Sequence, residues 1–173
     1  MSNKIINISG VSESNNQFVV KLQGFNVKIS NNVGKDMSND PSPEEFLLAG
    51  FAGSINAVGK LIAAELGIEL ESLLVEISGE LETKKAEGLK TRSRAGFRKI
   101  EVLVKPTSDA PLGLLKQWID EVKERCPLRD NLINSTPVLL TLLKEYNACR
   151  FAQSFGSLSA RPFAAASGAT CRV

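Results

Sequence analysis

Three cysteines and no histidine define the side-chain chemistry open to this 173-residue chain. Cys126 stands in the run Arg125-Cys126-Pro127-Leu128-Arg129, where a proline suits the first position of a short helix. A thiol at a helix start faces free backbone N–H groups and the positive end of the dipole, which favours the thiolate. The two flanking arginines add to that. The bland reading is a small buried hydrophobe, as most free cysteines are. Ser54 lies inside an apolar stretch with nothing in the sequence to activate its hydroxyl. A structural role, or a hydrogen bond to the carbonyl four residues back, suits it better than nucleophilic catalysis. Glu44 and Glu45 stand at the start of that stretch, where carboxylates complement the helix dipole.

The missing histidine removes Ser-His-Asp and Cys-His nucleophile pairs and most zinc sites. Cys126, Cys149 and Cys171 are odd in number and irregular in spacing, so they do not read as a disulfide framework. No metal or cofactor is expected. The net charge of +2 gives no case for a nucleic-acid or membrane partner. Seven basic side chains lie from Lys84 to Lys99, but Phe97 is the single aromatic among them, so the run reads as a solvated loop. The start, MSNKIINISG, is too polar for a signal peptide. The uncharged run from Phe46 to Gly59 is too short to span a bilayer. A cytoplasmic protein is expected.

These residues need elements to position them. Ile5, Ile6 and Ile8 suggest a first strand. Phe18, Val20 and Leu22 alternate before Gln23-Gly24, and Phe25, Val27 and Ile29 after it, as in a hairpin with one buried face. Ser42-Pro43-Glu44-Glu45 opens a helix with a capping box and an early proline. That helix is expected to reach Leu66 and stop at Gly67. It is apolar on every face, so it is buried. Gly50, Gly53, Ser54 and Ala57 recur at helical spacing and make a slim face for close packing.

Leu73, Val75, Ile77 and Leu81 alternate with polar residues, and FRKIEVLVKP repeats the pattern up to Pro106. Ser108 is the expected cap of another helix, with Leu115, Trp118, Ile119 and Val122 as its buried stripe. Cys126-Pro127 breaks that helix and opens a short third one. TPVLLTLLKEY suits helix or strand equally. Residues 1–146 therefore read as one domain. Residues 147–173 are rich in Ala and Ser, carry no acid, and read as a tail.

In this order, PSPEEFLLAGFAGS, GFRKIEVLV, and CPLRDNL followed by TPV resemble the OsmC/Ohr family of thiol-dependent hydroperoxide reductases. The resemblance spans Phe18 to Tyr146. It implies an α+β fold with antiparallel strands around a long buried central helix, in an intertwined homodimer with sites at the interface. In family peroxidases a peroxidatic cysteine lies on the central helix and a second cysteine precedes the Cys-Pro turn. Cys126 matches the second, and Ser54 holds the position of the first. Glu44 matches a pocket glutamate that, in the Ohr branch, pairs with an arginine from the N-terminal strands. Residues 1–42 contain no arginine.

The expectation is an OsmC-like protein linked to the organic hydroperoxide response, without two-cysteine peroxidase activity. A serine hydroxyl has no counterpart to the thiol's sulfenic and disulfide steps. Two alternatives stand beside it. One is a one-cysteine peroxidase using Cys126. The other is a non-enzymatic protein that interacts with partners or binds a small apolar or thiol-containing ligand at the dimer interface.

Overall fold

The computed structural model describes residues 4–14, 17–22, 24–30 and 40–143. Within it the order is β1 (Ser9–Ser14), β2 (Gln17–Leu22), β3 (Phe25–Ser30), α1 (Pro43–Glu65), β4 (Ser72–Leu81), β5 (Phe97–Thr107), α2 (Leu112–Arg125) and α3 (Pro127–Ile133). The fold is α+β, with two antiparallel sheets ordered β1-β2-β3 and β4-β5.

The hairpin forms in the expected register, with Leu22 opposite Phe25 and Val20 opposite Val27. Gly24 takes φ +94°, a left-handed conformation that favours glycine in a tight turn. The burial expected of the hairpin differs. Val19, on the opposite face from Val20, is buried, whereas Phe25 is 62% exposed. Alternation fixes which residues share a face, but not what covers it, and this sheet makes its principal contacts within itself. The strand expected over Ile5, Ile6 and Ile8 is also displaced. Those isoleucines are exposed, and β1 starts at Ser9, where pairing with Lys21 of β2 begins.

The α1 capping box is complete. Glu45 N–H donates to Ser42 Oγ at 3.2 Å, and Ser42 N–H donates to Glu45 Oε2 at 2.7 Å. The helix ends at the expected place, with Leu66 as its cap and Gly67 at φ +68°. By length and composition α1 is long enough to cross a membrane, although its shorter uncharged run suggested otherwise. Its stripe of Phe51, Ile55, Ile62 and Ala63 is committed to the core. The rest of the helix differs from the all-round burial expected, because Leu47, Gly53, Ala57 and Leu61 are exposed on this single chain.

β4 and β5 pair over their full length and offer Leu73, Val75, Ile77, Ile100 and Val104 to that core. Pro106 does not end β5. It sits opposite Leu73 and the strand continues to Thr107, as an edge position allows where no N–H is needed. Ser108 does not cap α2. It accepts from Ala110 N–H in a turn, and Pro111 takes the cap position. Pro137–Leu143 contains neither helix nor strand, and its valine and leucines are exposed. An unbroken apolar run has no single face to bury. The tail 147–173, with Cys149 and Cys171, lies outside the described residues.

Candidate functional site

Ser54 and Cys126, 72 residues apart in sequence, meet side chain to side chain, with Oγ and Sγ 3.2 Å apart. Each arrives by a local rule. Trp118, Val122 and Cys126 recur every four residues along one face of α2, and all three are buried. Pro127 disfavours helical backbone in the residue before it. Cys126 accordingly adopts φ −78°, ψ 111°, which ends α2 and starts α3 in one step. Its N–H still donates to Val122 O at 3.1 Å, and its carbonyl accepts from Asp130 N–H at 3.0 Å. The backbone of the turn is satisfied, and the side chain points inward. On α1, Ser54 follows Phe51 by three residues and adjoins Ile55, so it lies beside the buried stripe.

The thiol is deeply enclosed, for Cys126 is 1% exposed. The two flanking arginines also divide. Arg125 makes a two-point contact with the Glu65 carboxylate across α1 and α2. That hydrogen bonding holds Glu65 below the usual carboxylate range and raises the Arg125 guanidinium. Its charge is spent there rather than on the thiol. Arg129 donates to Lys123 O at 2.8 Å.

A cavity of about 780 Å³ opens over Cys126. α1 contributes Leu47, Phe51 and Ile55, and β5 contributes Ile100, Val102 and Val104. Leu132 and Ile133 of α3 close another side. The remaining polar walls are all basic: Arg94, Arg98, Lys99, Lys123 and Arg129. From the sequence, Arg94, Arg98 and Lys99 belong to a solvated run. Alternation along β5 could not have placed them, because the β4–β5 register shifts at Arg98, between the pairs Glu80–Lys99 and Leu81–Phe97.

Glu44 lies in the first turn of α1, ten residues from Ser54, or about 15 Å along the axis. Within the single chain it is not part of the cavity wall. Among the described residues no group of His, Cys, Asp or Glu could hold a metal ion.

A long central helix packed against β4, α2 and α3, with a buried cysteine at the α2–α3 break facing the middle of that helix, defines the class of α+β protein to which this chain belongs. The family model for OsmC-like protein matches residues 34–141, and the chain belongs to that family. An OsmC-like protein from Mycoplasma pneumoniae aligns with TM-score 0.68 at 23% identity, over 78% of this chain and 91% of that one. An organic hydroperoxide resistance protein OsmC from Legionella pneumophila aligns at 0.55 and 14% identity, over 76% and 91%. The organic hydroperoxide resistance protein OhrB of Bacillus subtilis aligns at 0.52 and 16%, over 76% and 93%. No curated protein matches the chain.

Proposed function

We propose that this chain is an OsmC-like protein of the organic hydroperoxide response that lacks two-cysteine peroxidase turnover. One observation carries this reading: the partner of Cys126 at 3.2 Å is a hydroxyl. Turnover in a two-cysteine enzyme requires a thiolate to attack the peroxide oxygen, release the alcohol and become a sulfenic acid. A second thiol must then displace water from that sulfenic acid to form a disulfide. Ser54 can do neither. The test is consumption of cumene hydroperoxide with dihydrolipoamide as reductant. The expected rate is the uncatalysed background, and saturable turnover by the unmodified chain overturns the proposal.

The cavity favours a second reading, in which the protein binds a small apolar-bodied ligand next to Cys126. Its volume of about 780 Å³ lies within the roughly 300–1,000 Å³ common for small-molecule sites. A one-cysteine peroxidase fits less well, because a thiol 1% exposed offers an oxidant little access. The assembly in which either reading operates is a homodimer. The exposed apolar and small residues of α1 and the self-contained β1–β3 sheet support it, for both leave surface that a second chain would cover.

A further inference from the structure

We propose that Arg94 and Arg129 make the cavity selective for a long-chain monocarboxylate, an inference that rests on reading the cavity as a ligand site. The cavity combines an apolar body with a rim of one sign. It has five basic residues and no acidic one in its wall. Three of the five are engaged by carboxylates outside it. Arg98 pairs with Glu82 at 3.7 Å, Lys99 with Glu101 at 2.6 Å and Lys123 with Asp120 at 2.8 Å. Arg129 spends one N–H on the carbonyl of Lys123, and Arg94 has no acidic partner among the described residues. Two arginines without an acidic partner among the described residues thus line an apolar chamber.

A guanidinium binds a carboxylate through paired N–H donors and stays charged throughout the working pH range. Beside an apolar wall that contact is screened less than it would be in open water. Acyl chains match the leucine, isoleucine, valine and phenylalanine walls. A neutral apolar ligand would fill the body and leave the rim unused. The N-terminal strands of a second copy are a poorer match, since residues 9–30 carry two lysines and one glutamate and so do not complement a cationic rim.

The test is calorimetric titration of the full chain with decanoate and with decanamide, which has the same carbon skeleton and a neutral head. Decanoate is expected to bind at least about ten-fold tighter, a difference of about 1.4 kcal/mol. The Arg94→Gln/Arg129→Gln pair should bring decanoate down to the decanamide level and leave decanamide unchanged. If that pair fails to fold, Arg94→Gln alone should remove part of the preference, since Arg94 lies on the loop before β5. Equal binding of the two ligands by the unmodified chain overturns the selectivity and leaves the ligand site standing. A preference that survives both substitutions overturns the assignment to these arginines. Binding of neither ligand overturns the ligand-site reading as well.

Discussion

The indole N–H of Trp118 donates to the carbonyl of Gly59 at 2.8 Å, and both residues are buried. This bond ties the middle of α2 to α1 one turn beyond Ser54. Cys126 follows two turns further along the same face of α2. The contact of Ser54 with Cys126 therefore depends on a register between helices that Trp118 and Gly59 hold in place.

Gly59→Ala should destabilise the protein. A Cβ there would meet Trp118 Cζ2 at 3.0 Å and Leu73 Cδ2 at 3.4 Å. Alanine gains roughly 0.8–1.0 kcal/mol of helix propensity over glycine. Overpacking a filled core costs roughly 1–3 kcal/mol, and Trp118 cannot retreat without breaking its bond to the Gly59 carbonyl. A net loss of about 1 kcal/mol is expected in urea unfolding. Unchanged or increased stability would show that the indole can shift.

Ser54→Cys should form a disulfide with Cys126 under mild oxidation. The two side-chain atoms already lie 3.2 Å apart, and closing to the S–S length of about 2.05 Å needs only a small adjustment. Mass spectrometry of the oxidised variant should find Cys126 linked to residue 54. Hydroperoxide turnover should rise above the unmodified chain. A variant that forms the disulfide but stays inert would point to the arginine missing from residues 1–42.

Cys126 should resist iodoacetamide in the folded protein and react once urea unfolds it, because only 1% of the residue is exposed. Peptide mapping after timed labelling gives the comparison. Equal labelling rates in the two states would mean that the cavity admits the reagent to the thiol freely.

The Glu65–Arg125 pair predicts an acid-dependent term in stability. The folded carboxyl is held below its ordinary range, chiefly by its hydrogen bond to Arg125. A depressed pKa contributes stability that is present above the unfolded value and is lost as pH falls through the folded one. Glu65→Gln should therefore lower the melting temperature slightly near neutral pH. The gap to the unmodified chain should close through the carboxylate range, and the effect is small because the pair is solvent-exposed. A constant gap at all pH values would mean that the loss is one of packing.

Light scattering at micromolar concentration should give about twice the 18.7 kDa chain mass. The expectation follows from the apolar residues that α1 leaves uncovered in one chain. A monomer would mean that these residues stay in water.

The sequence by itself determined the local events. Ser42, Pro43 and Glu45 opened α1, and Gly67 closed it. Alternation placed β2 to β5, and Pro127 ended α2 at Cys126. Each depends on neighbours within a few residues, through capping bonds, proline sterics or period-two burial. Where a signal lacked its long-range partner, the sequence misled. Ile5, Ile6 and Ile8 look like a strand but pair with none among the described residues, and Ser108 gave way to a turn before Pro111. The family resemblance set Ser54 and Cys126 side by side as matching positions. Only the packing of α1 against α2, with Trp118 on Gly59, brought Oγ to 3.2 Å from Sγ. Tertiary structure alone turned Arg125 to Glu65, leaving Arg94 and Arg129 at the rim. Side-chain charge is written in the sequence, but the group it faces depends on how distant elements pack.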